Sequence, residues 1–169
     1  MTRLLITTIA LVAAANTASA QSLATEVRNA TRSEFTASTP VTAEEHMQVA
    51  RRAASSGAYD VARREYRIAA VLQRESGQLA TEATYGLIQV LYAQAANDEA
   101  VFELDHLALD AAKQADFETE ARVRADAIWL KAEAGDMKGA RKDARRLNAI
   151  VRTGALSTGT QEYVSARVR

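Results

Sequence analysis

The chain has 169 residues, 48% of them hydrophobic, and its formal charge is balanced at 21 acidic against 21 basic side chains. It contains no cysteine and a single proline. That excludes disulfides, a lipid-modified cysteine and a thiol nucleophile, and leaves stability to packing alone.

Residues 1–20 have the form of a secretory signal peptide. Arg3 gives a positive start, Leu4 to Ala15 is a short apolar run, and Ala18-Ser19-Ala20 is a small-x-small cleavage site. The run is too short to span a bilayer. Cleavage is expected between Ala20 and Gln21, leaving no transmembrane segment and a periplasmic or secreted protein. Residues 21–41 form a polar segment in which Leu23, Val27 and Phe35 outline a short amphipathic helix, with Ser38-Thr39-Pro40 ending a linker.

From residue 42 the reading is helical throughout. Thr42-Ala43-Glu44-Glu45 has the form of a capping box. A helix follows over 43–55 with Val49, Ala50 and Ala53 inside, stopped by Ser56-Gly57. A second helix over 59–75 stops at Gly77. Its Ala62, Tyr66 and Ala69, spaced four then three, form one stripe. Two small residues around one ring let another helix come close while the ring fills the gap.

The pattern recurs. A helix over 79–95 turns Thr84, Leu87, Ile88 and Leu91 inward, and Asn97-Asp98 is expected to cap the next, whose stripe is Ala100, Leu104 and Leu107. Asp116 caps a helix over 117–134 with Ala127 and Ile128 inward. Gly135-Asp136 makes a turn, and the last stripe is Ala140, Ala144 and Leu147. Ala62, Ala100 and Ala140 are then equivalent positions in three copies of one unit, a helical repeat array. No run alternates with period two long enough for a sheet, so the fold class is all-α. The repeat domain spans 42–153, and 154–169 is a polar tail with room for a short capping helix from Thr160.

Gly57, Tyr59, Ala62, Tyr66 and Ala69 resemble the turn and second helix of the tetratricopeptide repeat, and the likeness extends over residues 43–150. The third copy keeps Gly135, Ala140, Ala144 and Leu147. The second keeps Ala100 and has Ala95 in place of the turn glycine. The units are longer than the family's repeat of about 34 residues, and its first-helix tryptophan and closing proline are missing. The resemblance implies three helix-turn-helix units stacked as a short α-solenoid, and a non-enzymatic scaffold that binds a protein or peptide on its concave face. In the family the first helix of each repeat lines that groove. The positions this places there are Met47, Arg51 and Ala54, then Glu82, Tyr85, Gln89 and Tyr92, then Arg122, Ala125 and Trp129. The result is an aromatic strip flanked by two arginines, suited to an extended peptide with an apolar centre and an acidic end.

Little else carries chemistry. His46 and His106 lie in different units. Glu103 and His106 have a metal-ligand spacing, but two ligands make no closed site. There is no Gly-x-Ser-x-Gly turn and no phosphate-binding glycine loop, so no catalytic residue, metal or cofactor is expected. Residues 75–120 carry ten acids and one base, and residues 121–169 carry eleven bases and five acids. Opposite stretches of this kind suit weak head-to-tail self-association. Lys138, Arg141, Arg145 and Arg152, with Lys142 and Arg146 beside them, suit an anion-binding face toward lipid head groups. No aromatic residues interleave them, so nucleic acid is not expected. Two other classes of function stay open at this point: a structural or assembly subunit of an envelope complex or oligomer, and a small-molecule carrier with a pocket between helices.

Overall fold

The computed structural model of the protein describes residues 41–168, which form seven helices and no strand. The signal-peptide reading of 1–20 and the linker reading of 21–40 lie outside the described residues. The helices are α1 (Ala43–Ser55), α2 (Tyr59–Glu75), α3 (Thr81–Ala93), α4 (Asn97–Lys113), α5 (Phe117–Glu133), α6 (Met137–Arg152) and α7 (Thr158–Arg167). Among the described residues, no helix is long and apolar enough to cross a membrane.

Side-chain caps start most of these helices. Thr42 accepts the Glu45 amide at 3.2 Å while Glu45 accepts the Thr42 amide at 3.0 Å, a reciprocal capping box. Asp116 caps α5 at 3.0 Å, Asp136 caps α6 at 2.9 Å, and Ser157 caps α7. The start of α4 departs from the sequence reading. Ala96 takes the cap position with no side-chain bond, and Asn97 is already helical, its Oδ1 buried without a partner.

The helix ends share one device. Each of α1 to α6 is followed by a residue in the left-handed region: Gly57, Gly77, Ala95, Ala115, Gly135 and Gly154. Around Ala95 the Ala96 amide reaches back to Leu91 at 2.9 Å and the Ala95 amide to Tyr92 at 3.0 Å, the two bonds of a Schellman turn. Four of the six positions are glycine, which adopts this conformation freely. An alanine there costs about 1 kcal/mol or more. Ala95→Gly and Ala115→Gly are therefore each expected to raise stability by about 1 kcal/mol, read as a higher urea midpoint at unchanged slope.

Packing is sequential. Each helix up to α6 packs on the next, α1 also touches α3, and α7 lies on α5. Ala62, Ala100 and Ala140 are all buried, at the small-residue position where successive helices meet. Tyr66 is buried against α3 at Gly86, the one place on that helix where a Cβ would run into its ring. Leu87 and Leu91 of α3, Leu104 and Leu107 of α4, and Val123 and Leu130 of α5 form the central core. A second cluster uses another face of α5: Ala121 and Ala125 pack with Leu147 and Ile150 of α6 and with Leu156 and Val164. That cluster anchors α7 and so fixes where its polar side chains point.

Ion pairs stitch neighbouring helices. Arg51 reaches Glu82, Arg63 and Arg67 share Glu99 at 2.6 and 2.8 Å, and Arg74 meets Asp110 at 3.3 Å. Lys131 bridges Asp105 and Asp143, each at 2.6 Å. The acidic stretch is thus largely engaged inside the molecule. His46 does not act with its sequence neighbours Glu44 and Glu45; its Nδ1 lies 2.6 Å from Glu65 of α2, in the α1–α2 interface.

Candidate functional site

A cleft of about 430 Å³ opens between α3, α5 and α7. It falls in the size range of small-ligand and side-chain pockets. Helix α3 lines it with Tyr85, Ile88, Gln89 and Tyr92, a stripe repeating every three or four residues. Leu104 and Leu130 close the apolar bottom, and α5 adds Asp126 and Trp129. The opposite wall is Tyr163 and Arg167 of α7.

Asp126 organises the site. It is buried, yet its carboxylate accepts four contacts. The Tyr85 hydroxyl donates to Oδ2 at 2.8 Å, the Tyr163 hydroxyl reaches both oxygens at 2.7 and 2.9 Å, and Arg167 Nε donates to Oδ1 at 2.9 Å. A buried carboxylate needs such donors to offset its lost hydration. The phenols respond in turn. Burial and the adjacent Asp126 charge push Tyr85 far above the ordinary tyrosine range, and burial with the hydrogen bond to Asp126 pushes Tyr163 up to about 12. Both are therefore protonated donors to Asp126 at neutral pH.

The mouth is aromatic and cationic. Trp129 is 37% exposed and Tyr92 47% exposed, with ring centroids 6.2 Å apart. The Arg167 guanidinium stands 4.6 Å over the Trp129 ring, a cation–π contact. Two large rings left partly in water beside a guanidinium form the kind of surface that partners use as an anchor.

The residues expected in the groove divide into two groups. Tyr85, Gln89, Tyr92 and Trp129 come together in the cleft. Arg122 sits just outside it, donating from Nε to Thr160 at 2.9 Å and lying 5.7 Å from the Tyr163 ring. Met47 is fully buried with Ala69, Ala70, Ala80 and Ala83, because its thioether fills the space these small side chains leave, with the Gln73 amide donating to its sulfur at 3.6 Å. Ala54 packs against the central core, and Ala125 is buried toward α6. Arg51 and Glu82 pair with one another on the surface, away from the rings. The flanking arginine in the cleft is Arg167, not Arg51.

Four cleft residues escaped the sequence reading: Asp126, Leu130, Tyr163 and Arg167. Asp126 carried a signal, since it lies four residues after Arg122 and three before Trp129 and so shares their stripe. Of the candidate metal pair, His106 lies against Phe102, ring centroids 4.4 Å apart, and Glu103 faces Arg67 at 3.9 Å. Among the described residues, no three His, Asp or Glu side chains gather as metal ligands would. The chain matches no protein-family model, no curated protein and no solved structure.

Proposed function

We propose that the protein is an exported, non-enzymatic scaffold that holds a peptide or protein segment in the cleft between α3 and α5. On this reading α1–α2, α3–α4 and α5–α6 are three tetratricopeptide-like pairs and α7 is their cap. Export rests on the charged start, apolar run and cleavage site of residues 1–20.

The observation that carries the binding role is the half-exposed Tyr92–Trp129 pair with Arg167 over the indole. An apolar side chain entering between Tyr92, Ile88 and Trp129 removes those rings from water. Arg167 uses Nε on Asp126, which leaves its terminal nitrogens for a carboxylate. Gln89, exposed at the rim, offers an amide to a peptide backbone. The ligand is then an extended segment with an apolar anchor beside an acidic side chain. The cleft volume also suits a small aromatic acid, a reading that predicts binding independent of peptide length.

Selection of a displayed random-peptide library on the purified protein tests the proposal. Enriched sequences are expected to share an apolar residue next to Asp or Glu. Arg167→Ala is expected to weaken them about tenfold, the loss of one charge-assisted hydrogen bond. Enrichment of basic sequences, or affinity indifferent to Arg167→Ala, would contradict it.

A further inference from the structure

We infer that the outer face of α6 docks on an anionic phospholipid surface. Lys138, Arg141, Lys142, Arg145 and Arg152 are all exposed. Helical geometry gathers them within about 100° of arc along about 21 Å of axis. The opposite face of the helix, with Ala140, Asp143, Leu147 and Ile150, is buried. The basic arc therefore points away from the rest of the molecule.

Among the described residues its charge is not used internally. None of the five makes an ion pair with a described carboxylate, whereas Arg146, the remaining cation of α6, turns aside to Glu120 at 2.8 Å. Among the described residues, the acidic stretch 75–120 of a second copy offers no free face to match it. Of the ten acids in residues 75–120, only Glu75 and Asp98 are neither paired with a cation nor hydrogen-bonded; Glu118 bonds Ser157 and Asp116 caps α5. The countercharge has to come from elsewhere.

A head-group layer fits better than nucleic acid. The cations lie on a straight rod with no groove, which suits a flat surface. Met137, 50% exposed, borders the arc and supplies apolar contact at the interface. No aromatic ring stands on this face for a base to stack on.

Vesicle co-sedimentation of the full chain tests the inference, comparing phosphatidylcholine alone with phosphatidylcholine mixed with phosphatidylglycerol. The comparison cancels any composition-independent contribution of the apolar run in residues 1–20. Binding is expected to be stronger to the mixed vesicles and to fall with added salt. Each cation near such a surface contributes on the order of fivefold in affinity, so Arg141→Gln with Arg145→Gln is expected to cost roughly twenty-five-fold. Arg52→Gln, an exposed cation on α1, is expected to leave binding unchanged, and melting curves confirm that every variant is folded. Equal binding to both vesicle types, or mixed-vesicle binding that survives the double substitution, would overturn the inference. So would tighter binding to a DNA duplex than to the mixed vesicles.

Discussion

Glu120→Ala is expected to lower the free energy of unfolding by about 3 kcal/mol, which for a domain of this size is a drop in melting temperature on the order of 10 °C. Glu120 is fully buried and accepts Arg124 Nε at 2.8 Å and both Arg146 Nε and a terminal nitrogen of Arg146 at 2.8 Å. Arg124 continues to Asp143 at 2.7 Å, and Asp143 to Lys131 at 2.6 Å. Removing the carboxylate leaves charge behind in the α5–α6 interface without its partner. The loss falls at the low end for a buried pair, because Arg146 is 46% exposed and turns to water, and Arg124 keeps Asp143. Glu133→Ala, an exposed site on the same helix that makes no ion pair with a described residue, is expected to change stability by less than about 0.5 kcal/mol. The same site predicts acid sensitivity. Burial alone would raise the Glu120 carboxyl, but hydrogen bonds from Arg146 and Arg124 outweigh it and hold the group below its ordinary value of 4.5. Its contribution is therefore present above that value and is lost as pH falls through the folded value. Wild type is expected to lose stability on acidification below about pH 4.5 more steeply than Glu120→Ala.

Gly86→Ala is expected to destabilise by about 2 kcal/mol, although alanine is the better helix former. Gly86 lies in the middle of α3, where glycine ordinarily costs about 1 kcal/mol. A Cβ there would come within 2.9 Å of Tyr66 Cδ1 and nearer still to Cε1 and Cζ. Tyr66 is 6% exposed and has no room to withdraw, so α2 and α3 would have to part. The ring is the cause, and a double substitution isolates it. In a Tyr66→Leu background, Gly86→Ala is expected to become neutral or stabilising, giving a coupling of about 2 kcal/mol in urea unfolding.

Most helix positions were legible in the sequence because the chain marks them chemically. Thr42, Asp116 and Asp136 announce starts, and Gly57, Gly77 and Gly135 announce stops. Where the mark is missing the reading drifts. Ala95 takes a glycine's conformation without being one, so α3 was expected over 79–95 and runs over 81–93. The α4 cap was assigned to Asn97-Asp98 and falls on Ala96. The buried stripes Ala62–Tyr66–Ala69 and Ala100–Leu104–Leu107 followed from spacing alone. Gly86 was not recognised, since nothing local tells a glycine required by a distant ring from one that merely weakens a helix.

The cleft was half legible. Tyr85, Gln89, Tyr92 and Trp129 come from the tetratricopeptide resemblance, which places the first helix of each unit in the groove, and the spacing of Tyr85 and Tyr92 adds only that they share a face. Met47 was misplaced because a methionine next to polar residues reads equally as groove or core. Its burial depends on the small side chains Ala80 and Ala83 brought against it from α3. Asp126 reads as a solvated charge until Tyr163 and Arg167 cover it, and those arrive only because Leu156 and Val164 dock α7 on α5 and α6. The charge asymmetry was real, but which half remained free for a partner depended on which arginines each carboxylate met across helix boundaries.

The central claim is that the Tyr92–Trp129 cleft receives a ligand side chain, and Trp129, the only tryptophan, reports on it directly. Iodide quenching of its emission is the measurement. Without ligand, the 37% exposed indole beneath the Arg167 cation is expected to be quenched readily. Addition of a selected apolar–acidic peptide is expected to shift the emission to the blue and protect it, and Arg167→Ala to shift the protecting concentration upward about tenfold. A blue emission that iodide leaves untouched in the free protein, or quenching unchanged at saturating peptide, would contradict the claim.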